Sequence, residues 1–144
     1  MSRSTYPETR YGPAPLVDLQ SAAARERLSP SALKAFFHIL DRWAVKDETS
    51  RDLLGGVSNG TFYAMKRNPK KILGGDQLLR LSYLIGIFKA LNILYSRRLA
   101  DAWMQLPNSN RVFEGATPLA YVRRGGLPAL QTVRRLLDAR RGGR

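Results

Sequence analysis

The sequence predicts an all-α protein: a helix-turn-helix N-terminal half, a long central helix and a small helical C-terminal region. Three observations carry this. Apolar residues recur at helical spacing in each strongly patterned segment, and no alternating strand pattern appears anywhere in the 144 residues. Helix starts are signalled at Ser29-Pro30, Ser58 and Thr117-Pro118, where a hydroxyl cap precedes a helix former or a proline. Helix stops are signalled by glycine pairs at 55–56, 74–75, 125–126 and 142–143.

The central helix is expected over 76–95, DQLLRLSYLIGIFKALNILY. Leu84, Ile87, Phe88, Leu91, Leu94 and Tyr95 fall on one face, and Leu78, Leu79, Ile85 and Ile93 spill beyond it. So wide an apolar surface demands cover on more than one side, from a core or from a second copy of the chain. A homodimer seam of Ile85, Phe88, Leu91 and Ile93 is the expectation. The length also suits a membrane span. However, Asp76, Arg80, Lys89 and Asn92 interrupt the segment at a high cost in hydrocarbon, so no membrane partner is expected.

Before this helix, 1–28 reads as a mobile N-terminal arm, broken by Pro7, Gly12, Pro13 and Pro15, with a short helix possible over 16–28. The first strong helix is expected from Ser29-Pro30, with Leu33, Phe36, Phe37, Leu40, Trp43 and Ala44 inward and His38 solvated. A short helix over 47–54, a glycine turn, and a helix capped by Ser58 follow, with Phe62 and Met65 inward. Short helix, turn, short helix with a polar tip and a basic tail is the helix-turn-helix pattern. Its second helix would lie in the major groove. Ser58, Asn59, Thr61 and Tyr63 would then meet base edges or phosphate, and Lys66, Arg67, Lys70 and Lys71 would grip the backbone. A solvated basic loop is the plainer account of the same residues.

After the central helix, 96–106 continues as helix with Leu99, Ala102, Trp103 and Leu106 on one face. Pro107 ends it, and a loop carrying Val112 and Phe113 leads to Thr117-Pro118. Two helices separated by Gly125 and Gly126 complete the chain, with Leu130, Val133, Leu136 and Leu137 inward.

Composition narrows the function. The chain has a net charge of +13, which favours nucleic acid, an anionic surface or an acidic protein partner. The cations are unevenly placed. All six Lys lie at or before Lys89, whereas the stretch from Ser96 onward has ten Arg, no Lys and three acids. Arginine suits bidentate carboxylate or phosphate contacts, so the two ends can address different partners. With no Cys and one His there is no disulfide framework and no Cys- or His-based metal site, and no cofactor is expected. Neither GxGxxG nor GxxxxGK[ST] occurs, and no paired carboxylates mark a cleft. The expectation is a non-enzyme with no small-molecule substrate. The first residues carry no apolar run resembling a signal peptide, which favours the cytoplasm.

Two segments, LLGGVSNGTFYAMKRNP with DQLLRLSYLIGIFKAL, and ADAWMQLPNSNRVFEGATPLAYVRRGGLPALQTVRRLL, resemble the Xre/MbcA/ParS-type antitoxins of bacterial toxin–antitoxin pairs. The resemblance covers about 29–143. Its most specific marks are Trp103, Pro107-Asn108, Phe113-Glu114-Gly115, Thr117-Pro118-Leu119 and the Gly125-Gly126 break. The arm over 1–28 lies outside it; the resemblance implies an Xre-like helix-turn-helix and dimerisation domain over 29–95 and a toxin-binding domain over 96–144. It implies a homodimeric antitoxin that binds operator DNA, represses its own operon and occludes an NAD-consuming toxin with a RES domain. Trp103, Asn108, Phe113, Pro118, Leu119, Arg123, Leu130, Arg134, Leu137, Arg140 and Arg141 are then the expected toxin contacts, the arginines pairing with carboxylates on the toxin's rim. A plain helical cap on the core is the alternative reading of Trp103 and Phe113. A free-standing helix-turn-helix transcription regulator, whose C-terminal half only dimerises, is the rival function. A basic structural nucleic-acid protein without sequence preference is the second.

Overall fold

The computed structural model describes residues 18–142, and it is all-helical. Its elements are α1 (Ala22–Trp43), α2 (Asp47–Leu53), α3 (Asn59–Arg67), α4 (Gly75–Leu94), α5 (Arg97–Ala102) and α6 (Pro118–Arg141), with 3-10 turns at Trp103–Gln105 and Arg111–Phe113. The expected arm lies outside the described residues as far as position 17.

α4 is the centre. It packs on α1 along one side and on α6 along another, and α5 closes one end. Leu78, Leu81, Leu84, Ile87, Ala90 and Leu91 are buried between these partners, with Leu33, Phe36, Ile39 and Trp43 of α1 and Leu130, Val133 and Leu137 of α6. By length and composition α4 could cross a membrane, but its cover by α1 and α6 makes it the core helix of this fold. The helical spacing of the apolar residues thus placed Leu84, Ile87 and Leu91 correctly. Gly86 and Ala90 were missed because they are small. Gly86 is buried because the Arg134 guanidinium lies over it, where a Cβ would collide. Leu91, expected in a dimer seam, is fully buried in this one chain, and Phe88 is half-buried among Trp43, His38 and Arg42.

The start of α1 differs from expectation. Its N-cap is Ser21, whose Oγ accepts from Ala24 N at 3.3 Å, and the helix runs on through Pro30. Ser29 is fully buried rather than capping. Its Oγ donates to the Arg25 carbonyl and accepts from Leu73 N at 2.8 Å, pinning the loop before α4 to α1. A Ser-Pro pair is a start signal only where the preceding residues leave the helix. Here SAAARERL supplies good helix formers, and a tertiary hydrogen bond occupies the serine.

The helix expected over 96–106 is also corrected. Ser96 caps α5, its Oγ accepting from Leu99 N at 3.4 Å, but the α-helix ends at Ala102 and tightens into the 3-10 turn. Tightening rotates the side chains away from a 3.6-residue period. Trp103 and Met104 therefore point inward and Leu106 is left exposed, while within α5 itself Ala100 is buried and Leu99 exposed. Arg42 ties this end together. Its guanidinium pairs with both Asp101 oxygens, at 3.0 Å from Nε, and sits 5.3 Å over the Phe88 ring.

In α6 the glycine break is real. Gly126 adopts φ 65 and ψ −146, which only glycine does without strain, and Pro128 opens the second half of the helix. Thr117 caps the first half, its Oγ1 accepting from Ala120 N at 3.1 Å.

Candidate functional site

The α2–α3 pair presents one candidate surface. Gly55 and Gly56, at φ 96 and 89, turn the chain, and Phe62 and Met65 anchor α3 in the core at 1% exposure each. Ser58 caps α3, its Oγ accepting from Thr61 N at 3.2 Å and donating to Thr61 Oγ1 at 2.9 Å. Both hydroxyls therefore serve the cap first. Asn59 is exposed, and its side chain makes no hydrogen bond among the described residues, which leaves its amide available to a ligand. Tyr63 is 41% exposed, and its hydroxyl donates to Asp47 Oδ2 at 2.8 Å. That hydrogen bond to the carboxylate holds the phenol above its ordinary pKa, with the Asp47 charge acting in the same direction. The ring is thereby fixed against α2.

Cations follow directly. Lys66, Arg67, Lys70 and Lys71 are all exposed, and Lys66 Nζ lies 3.9 Å from Asp47 Oδ1. Ala64, Arg67, Asn68, Lys70 and Lys71 line a shallow open depression where α3 ends. All eight residues expected at the DNA surface lie on α3, at its cap or in the loop that follows. A polar tip and a basic tail on one small helix can contact a duplex at base edges and phosphate together.

The second candidate surface, expected on the C-terminal part, is rearranged. Trp103, Phe113, Pro118, Leu119, Leu130 and Leu137 are all buried. Trp103 and Phe113 stack edge to face, with centroids 6.1 Å apart, and Tyr121 packs on Phe113 at 5.3 Å. In the single chain these side chains serve the core. Asn108 is half-buried and holds the loop, its Oδ1 accepting from Asn110 N at 2.9 Å.

Three of the expected arginines are used inside the chain. Arg123 donates to Asp52 Oδ2 at 2.7 Å and Glu48 Oε1 at 3.4 Å, joining α6 to α2, and the Asp52 hydrogen bond holds its pKa above the ordinary value. Arg134 pairs with Asp138 at 2.9 Å, and its guanidinium lies against Gly86. Arg140 donates to the Tyr95 hydroxyl at 2.8 Å. Beyond α5, whose Arg97 and Arg98 are also exposed, the remaining outward cations are Arg124, Arg135 and Arg141 on α6 and Arg111 in the loop. Of these four, only Arg141 has a carboxylate within 4 Å among the described residues, Asp138 at 3.8 Å. Nothing in a single sequence distinguishes Arg134 from Arg135. Only the α4–α6 packing does. Among the described residues no group of three His, Cys, Asp or Glu side chains converges to hold a metal.

A helix-turn-helix unit with an exposed polar and basic second helix is packed against a second helical region with outward arginines, an arrangement of the class built to bind partners. Residues 21–86 match the antitoxin Xre-like helix-turn-helix domain, and residues 90–143 match the antitoxin Xre/MbcA/ParS C-terminal toxin-binding domain. The chain is 38% identical over 115 residues to the uncharacterized protein y4oB of Sinorhizobium fredii (strain NBRC 101917 / NGR234), an alignment spanning 79% of this chain and 87% of that protein. No solved structure matches the chain. The chain belongs to the Xre/MbcA/ParS antitoxin family, and is a non-enzymatic type II antitoxin with a DNA-binding-type domain and a toxin-binding domain. The first match begins at 21 rather than 29, in accord with the Ser21 cap.

Proposed function

We propose that this antitoxin neutralises an NAD-consuming toxin with a RES domain by covering its active-site entrance, and that as a homodimer in the cytoplasm it represses its own operon through α3. The observation that carries the first part is the sorting of the C-terminal arginines. Arg123, Arg134 and Arg140 hold the fold, whereas Arg124 and Arg135 face outward with no carboxylate partner among the described residues. Arginine presented this way suits carboxylates on a partner's rim, where bidentate pairing adds specificity. Inhibition is steric and requires no chemistry from the antitoxin. The repressor part rests on the exposed Asn59 beside Lys66, Arg67, Lys70 and Lys71. The dimer part rests on apolar surface that the single chain leaves uncovered, with Ile93 at 64% exposure and Ile85 half-buried.

The test is co-expression with the RES-domain open reading frame expected beside the gene. The chain should co-purify with that protein and restore growth of cells expressing it. The double variant Arg135→Glu/Arg141→Glu should fold normally by circular dichroism and fail to rescue. Rescue by the double variant would remove the outward face of α6 from the toxin contact. Failure of wild type to bind or rescue would remove the RES assignment itself.

A further inference from the structure

Gly60 stands in the first turn of α3, where the protein's own structure gives no reason for a glycine. Four of the described glycines sit at positive φ, and four others have a neighbouring atom within 4 Å of where a Cβ would be. Gly74 is the N-cap of α4, a position glycine favours. Gly60 alone is inside a helix, at ordinary φ, exposed, and with nothing within 4 Å of an added Cβ. Glycine is the poorest helix former after proline, so an exposed helical site without an internal clash should favour alanine. No contact among the described residues accounts for a glycine there.

Position 60 shares a helical face with Ala64 and Arg67, four and seven residues on. Ala64 and Arg67 line the basic depression at the other end of α3. Asn59 precedes Gly60 with its side chain unpaired among the described residues. The feature that Gly60 accommodates therefore lies against the same surface as the cations, and a DNA duplex is the partner whose charge fits that surface.

We infer that Gly60 is the position of closest approach between α3 and DNA, a positioning residue whose missing Cβ lets the tip of the helix seat against the groove. The inference rests on α3 being the DNA-reading helix. Gly60→Ala should unfold in urea at the same midpoint as wild type or a higher one. It should bind a duplex taken from directly upstream of the chain's own coding sequence at least tenfold more weakly, at fixed salt. Arg67→Ala is the companion variant. If Arg67→Ala weakens binding and Gly60→Ala does not, the close approach is wrong while α3 remains the reader. If wild type binds and neither variant changes the affinity, α3 is not the reader and the inference falls with it. A lower urea midpoint for Gly60→Ala would show that an internal constraint requires the glycine, which also overturns the inference.

Discussion

Replacing Ser29 by alanine tests whether the buried serine clamps α1 to the segment before α4. The side chain is fully buried, and its Oγ is the acceptor for Leu73 N, itself buried at 1% exposure. Ser29→Ala removes that acceptor without admitting water and leaves the Leu73 N–H unsatisfied, at about 1–3 kcal/mol. The second bond, to the Arg25 carbonyl, contributes less, because a helix carbonyl normally also accepts from the N–H four residues on. Alanine is the better helix former by roughly 0.5 kcal/mol, which offsets part of the loss. The net expectation is a destabilisation of about 1–2 kcal/mol. With a urea slope of about 1.5 kcal/mol/M, the midpoint should fall by roughly 1 M at unchanged slope. Urea unfolding followed by circular dichroism measures this, with Ser31→Ala as control. Ser31 is exposed, and its Oγ donates only to the Leu28 carbonyl, so its loss should stay within about 0.5 kcal/mol. Equal midpoints for the two variants would refute the clamp. Amide exchange at Leu73 provides a local readout, since its protection should drop in Ser29→Ala and not in the control.

Two further outcomes are expected. Tyr63 donates to the Asp47 carboxylate and so resists ionisation, and this contribution is complete below the ordinary phenol range and fades as pH rises through the raised value. Phenolate absorbance, taken as the difference between wild type and Tyr63→Phe, should therefore titrate at lower pH when Asp47→Asn is introduced in both; an unchanged midpoint would break the assignment of the hydrogen bond. For the homodimer, light scattering of the free protein should give twice the chain mass of 16.2 kDa, and Ile93→Glu should return it to one chain because a charge buried in a seam costs about 3 kcal/mol or more. A wild-type monomer at micromolar concentration would exclude the seam.

The helices of the fold were legible because their signals are local. The Ser58 and Thr117 caps, the glycine turn before α3 and the apolar face through Leu84, Ile87 and Leu91 each depend on residues a few positions apart. Errors arose where a distant residue decides the outcome. Ser29 is taken from its expected cap by Leu73, 44 residues away, and Arg42 finds Asp101 across 59 residues. The exposed side of α3 was readable for a related reason: with Phe62 and Met65 inward, the polar and basic residues left to solvent follow from the period alone. The C-terminal contacts were not readable this way. Trp103 and Phe113 were expected at an interface because the resemblance marks them, and Leu130 and Leu137 as apolar anchors of the last helix, yet all four are buried in the single chain. Their burial follows from how α5, the loop and α6 pack together, which pattern does not give.

The boundary between the two antitoxin regions falls between 86 and 90, inside α4, with Gly86 on one side and Ala90 and Leu91 on the other. The helix has no joint there. Both α1 and α6 pack on it, and α1 reaches Phe88 beyond that boundary through Trp43 and Arg42, so neither region owns a complete core. A protein built this way resists shuffling. A chimera that splices the N-terminal region of one relative to the C-terminal region of another would inherit a helix whose two ends were shaped by different neighbours, and cavities or clashes would follow at the splice. Deleting the second half of α6 would strip Leu130, Val133 and Leu137 from the common core rather than release a tail. A change of binding preference in this protein is therefore best engineered by substitution on its exposed surface, with the shared interior left in place, instead of by exchange of whole regions.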